Sequence, residues 1–176
     1  MKKYELTDET IEVYGTALHR IKALKDFGNV KKGELGGYVE SEHNLSQEGD
    51  CWVYGNARVY SNARVYGNAW VCGNAEVFGN AWVCGNAKVY DNAEVFGNAW
   101  VCGNADYITI KGLGSKYRNT TIFRTKENIA VKCGCFYGTL AEFVDKVKET
   151  HGNSKFAKEY LALIDLVKIH FELEDK

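Results

Sequence analysis

No stretch of this chain comes near the roughly 18 consecutive apolar residues that a bilayer-spanning helix needs. Its opening, MKKYELTDET, is charged and lacks the apolar core of a signal peptide. No charge of one sign dominates: 22 Lys plus Arg stand against 23 Asp plus Glu. A near-neutral total shows neither the basic excess of a nucleic-acid binder nor an acidic tail for a basic partner. Six cysteines (Cys51, Cys72, Cys84, Cys102, Cys133, Cys135) occur without an export signal, which reads as reduced thiols and a cytoplasmic location. At 176 residues the chain suits one compact unit, or one repeat domain with attached ends.

What the chain has instead is repetition. From Trp52 it reads WVYGNA RVYSNA RVYGNA WVCGNA EVFGNA WVCGNA KVYDNA EVFGNA WVCGNA, with valine every six residues at nine positions from Val53 to Val101. An Asn-Ala pair follows each valine, and the residue before each Asn is Gly, Ser61 or Asp91. A fixed period of this kind signals a solenoid. Three hexads make one turn of a triangular coil, and successive coils stack at the strand spacing of about 4.8 Å. Valine then points inward from each flat side, alanine fills each corner, and Gly, Ser, Asp or Asn supply the left-handed backbone of a sharp corner. Asparagines eighteen apart should stack as ladders: Asn44, Asn62, Asn80, Asn98; Asn56, Asn74, Asn92; and Asp50, Asn68, Asn86, Asn104. Two degenerate hexads, NLSQEG and DCWVYG, fit ahead of the regular ones.

Inward valines force their neighbours outward. One face carries Trp52, Tyr54, Trp70, Cys72, Lys88 and Tyr90, and a second Arg58, Tyr60, Glu76, Phe78, Glu94 and Phe96. The third carries Arg64, Tyr66, Trp82, Cys84, Trp100 and Cys102. Such apolar faces need cover, from the terminal segments or another copy of the chain. The expected interface residues are therefore Trp52, Trp70, Trp82, Trp100, Tyr60, Phe78 and Phe96. Cys84 and Cys102 should be stacked neighbours, read as small hydrophobes filling an interface.

Four regions are expected: an N-terminal β cap (1–43), the coils (44–106), a β-rich segment (107–137) and a helical hairpin (138–176). In the cap, Tyr4-Glu5-Leu6 and Ile11-Glu12-Val13 alternate as short strands, and GELGGYV reads as a turn-rich connection. Past the coils, Tyr107 to Ile110, Thr121 to Phe123 and Ile129 to Val131 read as strands. Thr139 opens a capping box before one apolar stripe, and Ser154 caps a second. Between the first strands lies GLGSKYRNTT, then Arg124. Glycine N–H groups, hydroxyls and forked guanidinium donors can cradle an anion, so Ser115, Arg118, Thr120, Thr121 and Arg124 are the candidate ligand-binding residues. The alternative is a polar hairpin. No metal site is expected, since Cys133-Gly-Cys135 has only His151 and His170 downstream.

The repeat resembles the left-handed β-helix of hexapeptide-repeat proteins. That implies a mainly β fold, a left-handed parallel β-helix of about 3.5 triangular coils. It also implies a homo-oligomer, a trimer being common among such proteins. The tail (GLGSKYRNTTIF to ETHGNSKFAKEYLALI) resembles uncharacterised phage and prophage proteins of this class. Acyltransferases of the class use a histidine base with CoA or acetyl-CoA. Here the coils contain no histidine and no inserted loop, and His43 is the one candidate near them. The reading favoured is a non-catalytic, oligomeric binding protein without cofactor. Its partner is a phosphate-bearing small molecule or a host immune protein, the latter an anti-defence role. The alternatives are a CoA-dependent acyltransferase and a purely structural element.

Overall fold

The structure, a computed structural model, describes residues 1–173 and divides into two units, Met1–Asn104 and Ala105–Lys176. The first is built on a parallel β-solenoid. Nine two-residue strands carry the repeat: β4 (Trp52–Val53), β5 (Arg58–Val59), β6 (Arg64–Val65), β7 (Trp70–Val71), β8 (Glu76–Val77), β9 (Trp82–Val83), β10 (Lys88–Val89), β11 (Glu94–Val95) and β12 (Trp100–Val101). Residues eighteen apart pair in parallel, so β4-β7-β10, β5-β8-β11 and β6-β9-β12 form the three faces expected from the period. All nine valines are at most 1% exposed. Each is worth about 1.5–3 kcal/mol of apolar burial. At the corners Ser61 (φ 57°) and Asp91 (φ 59°) adopt the same left-handed backbone as the glycines around them. Asparagine ladders run along the axis, with Asn62 donating to Asn80, Asn68 to Asn86 and Asn74 to Asn92 at 3.2–3.4 Å.

The first coil departs from the expected register. Leu45 bridges Val65, twenty residues on rather than eighteen, while Trp52 already pairs with Trp70. Two extra residues therefore sit in the corner at 46–48. Asn44 is displaced from the corner ladder: it is fully buried and donates inward to the carbonyls of Ser61 and Ala63. The enlarged corner turns backbone carbonyls inward, and the Lys3 ammonium fills the gap. It donates to the carbonyl oxygens of Cys51 at 2.9 Å and of Glu48 and Gly49 at 3.3 Å.

In the N-terminal segment the two short strands expected at Tyr4–Leu6 and Ile11–Val13 are the two ends of one longer strand. β1 (Tyr4–Val13) is one ten-residue strand with a bulge between Leu6 and Thr10, and it pairs antiparallel with β2 (Thr16–Ala23). GELGGYV, expected as a connection, forms β3 (Leu35–Val39), which runs antiparallel to β2 and parallel to β5. Its glycines report close approach, not a turn. A Cβ on Gly36 would lie 2.6 Å from the Val53 carbonyl, and one on Gly37 2.5 Å from that of Ala57. The antiparallel hairpin thus continues one solenoid face and occupies its first edge.

The second unit is an antiparallel meander carrying two helices. It comprises β13 (Tyr107–Leu113), β14 (Arg118–Arg124), β15 (Ile129–Cys133), β16 (Phe136–Thr139), α1 (Leu140–His151) and α2 (Lys155–His170). The fourth strand was not legible in the sequence; Gly134, at φ 59°, makes the Cys133–Cys135 segment a hairpin turn. Both helix starts are capped as expected. Thr139 Oγ1 accepts from the Glu142 amide while Glu142 accepts from the Thr139 amide, and Ser154 accepts from Ala157. The helices bury Phe143, Val147, Tyr160, Ile164 and Val167 against Ile122, Val131 and Cys133 of the sheet.

Candidate functional site

The five residues of the expected anion cradle do not converge. The segment forms a β-hairpin, and alternation along β14 sends Thr120 to the helix-covered face and Thr121 to the other. Thr120 is fully buried and donates to Cys133 Sγ at 3.2 Å; Thr121 lies beside Thr109. Arg118 and Arg124 stand at opposite ends of the strand, roughly 20 Å apart by the strand rise. Arg124 is held at its own end, donating to Asp106 at 3.2 Å and lying over the Phe171 ring.

Ser115 and Arg118, in contrast, belong to a pocket of about 330 Å³ built between the β13–β14 turn, the β15–β16 turn and the helical hairpin. Lys116, Arg118 and Lys146 line it, together with Phe136, Phe143, Val147, Thr150, His151 and Tyr160, and among the described residues no carboxylate does. The local sequence explains each placement. Gly114, at φ +70°, turns the chain over Tyr160, whose hydroxyl lies 3.4 Å from the Leu113 carbonyl, and its amide donates to Glu159. Arg118 lies across Gly134, where a larger residue would collide with its guanidinium. Burial pushes the Tyr160 hydroxyl above the ordinary tyrosine range, so it stays protonated. Lys146 bonds Glu149 at 2.8 Å, which holds it charged.

Lys116, Lys146, Phe136, Phe143 and His151 were absent from the sequence-derived site. The available signal was helical spacing: Phe143, Lys146, Val147 and Thr150 recur at i, i+3, i+4 and i+7 and therefore share one face of α1.

The solenoid unit carries a separate cleft of about 490 Å³, lined by Glu42, His43, the enlarged corner at 46–48, Arg64, Tyr66 and Trp82. His43 thus stands beside one solenoid face. The aromatic positions divide. Trp52 is 0% exposed, enclosed edge-on by Tyr4 and Phe27 of its own chain. Tyr60 is buried with Val13, Leu18 and Tyr38 under the N-terminal hairpin. These two expected interface residues are therefore covered within the chain. Phe78 stacks parallel on Tyr60 and on Phe96 at 5.1 and 4.8 Å. On the third face Trp82 and Trp100 meet edge-to-face, and Trp100 is 41% exposed. Cys84 and Cys102 are stacked neighbours, as expected from the sequence, and their sulfurs meet between successive coils.

The first unit is thus a hexapeptide-repeat parallel β-solenoid. A family model described as "YdcK Beta solenoid repeat" matches residues 53–67 and 57–73. The chain is similar to the "Uncharacterized acetyltransferase YdcK" of Escherichia coli (strain K12), being 39% identical to it over 62 residues. That match covers 31% of this chain and 19% of the relative's length. Among the described residues no helix is long and apolar enough to cross a membrane.

Proposed function

We propose that this chain is a non-catalytic binding protein that holds a small phosphate-bearing anion in the pocket of its second unit. The lining carries the reading: Lys116, Arg118 and Lys146, the last paired with Glu149, line one concave, partly apolar site, and among the described residues no carboxylate lines it. Arg118 brings a planar fork matched to phosphate oxygens, and Lys116 and Lys146 act as point charges beside it. Ser115 and Thr150 add hydroxyl donors. Calorimetry with pyrophosphate tests this. Arg118→Ala should weaken binding about tenfold or more, while Arg124→Ala and Thr121→Ala, which lie outside the pocket, leave it unchanged. Undiminished binding in Arg118→Ala, or none by the wild type at millimolar pyrophosphate, removes the reading.

Homo-oligomerisation belongs to the same proposal. Trp70, Trp82, Trp100, Phe78 and Phe96 are the interface positions that the chain leaves wholly or partly accessible, and a trimer is the assembly expected. A monodisperse monomer in native mass spectrometry at high concentration ends that part. A phage-encoded, anti-defence use, with the pocket sequestering a host anion or the aromatic face blocking a host protein, is the finer form. It predicts a specific host protein or anion recovered with the wild type and lost in Arg118→Ala or Trp100→Ala.

A CoA-dependent acyltransferase is the second reading. It is supported by the cleft that sets His43 beside Arg64, Tyr66 and Trp82, and by the designation of the E. coli relative as an acetyltransferase. A histidine there can act as a general base if an acceptor hydroxyl or amine reaches it. Thermal stabilisation by acetyl-CoA and loss of turnover in His43→Ala are the expected results; no binding at millimolar CoA excludes it.

A further inference from the structure

We infer that the ligand of the C-terminal pocket is a phosphomonoester carrying a single aromatic ring, its phosphate at the cationic rim and its ring in the slot beneath. This rests on the reading of the pocket as an anion site and adds what occupies the rest of it. The slot is aromatic on several sides. Phe136 and Phe143 lie 5.1 Å apart and tilted by 47°, Phe143 meets Tyr160 edge-on at 5.4 Å, and His151 lies over Tyr160 at 5.8 Å. The four rings therefore pack on one another, and the cluster they form lines the cavity as an apolar aromatic wall against which a planar guest ring can lie.

A bare inorganic anion would gain from the charges and lose hydration against the apolar floor without compensation. A cavity of about 330 Å³ lies at the small end of ligand sites, which admits one ring with its phosphate and excludes an acylated lipid or a dinucleotide. From α1, Lys146, Val147 and Thr150 line the cavity together, which places a charge, an apolar side chain and a hydroxyl on the same wall.

Calorimetry on the full chain with inorganic phosphate, butyl phosphate, phenyl phosphate and benzyl alcohol separates the contributions. Phenyl phosphate should bind about tenfold tighter than inorganic or butyl phosphate, with benzyl alcohol showing no binding. Thr150→Trp fills the slot and should abolish the advantage of phenyl phosphate while inorganic phosphate still binds. Should that variant fail to fold by circular dichroism, Phe136→Leu reads the same difference. Equal affinity for phenyl and inorganic phosphate overturns the ring slot but leaves the anion site standing. Absence of binding by every phosphate overturns both.

Discussion

Replacing Lys3 with Met isolates the effect of the enlarged corner on the solenoid. Lys3 is 1% exposed, and its ammonium lies 2.9 Å from the Cys51 carbonyl, 3.2 Å from Cys51 Sγ and 5.0 Å from the Phe27 ring centre. Methionine conserves volume, so packing changes little. What is lost is a donor: the Cys51 carbonyl stays buried without one, at about 1–3 kcal/mol, and the contact over Phe27 contributes about 0.5–2 kcal/mol more. Relief from burying a charge offsets part of this. The expected net loss is about 2–3 kcal/mol at neutral pH. Burial pushes the Lys3 ammonium below the usual lysine range. Between that lowered value and the ordinary 10.5 the unfolded chain binds the proton that the folded chain has released, so this group makes stability rise with pH. The penalty of Lys3→Met should therefore grow as pH climbs toward 10.5. Urea titrations followed by tryptophan fluorescence suit the test, because all four tryptophans lie in the first unit. A penalty that stays constant from pH 7 to 10, or a variant more stable than the wild type, would refute the reasoning.

Three further perturbations probe other parts of the molecule. Val77 is fully buried between Val59 and Val95, so Val77→Asp should cost about 4 kcal/mol or more and lower the urea midpoint of the tryptophan signal sharply; an unchanged midpoint contradicts the register. Gly114→Ala puts a methyl group against the Tyr160 ring at a left-handed φ, and should destabilise the second unit by about 1–3 kcal/mol, read as a lower melting temperature of the helical signal. Burial and the Glu76 carboxylate, which accepts a hydrogen bond from the Tyr60 hydroxyl at 3.1 Å, hold Tyr60 above the ordinary tyrosine range. The unfolded chain releases that proton from about pH 10 and the folded chain does not, so stability should fall above pH 10 and fall less in Tyr60→Phe; identical alkaline slopes count against it.

The repeat made the solenoid legible in the sequence because hexad packing is local and self-reinforcing. Each valine meets copies of itself eighteen residues away, and no distant residue is needed to choose its side. The same reasoning placed the capping box at Thr139 and the outward residues of each face. Gly36 and Gly37 could not be read that way, since a glycine required by an approaching backbone looks the same in sequence as one required by a turn. Nor could the shift at 46–48, which two polar residues create without disturbing the apolar pattern. Only the tertiary structure decided that Trp52 and Tyr60 are covered by the chain's own N-terminal segment. It likewise separated Arg118 from Arg124 along β14 and joined Arg118 to Lys146 and His151 instead. Strand rise keeps the first pair apart, whereas chain reversals at Gly114 and Gly134 and the packing of α1 and α2 on the sheet bring the others together. Sequence alone thus determined the period, the buried faces and the caps, which depend on near neighbours; the pocket is made by long-range packing that no local pattern encodes.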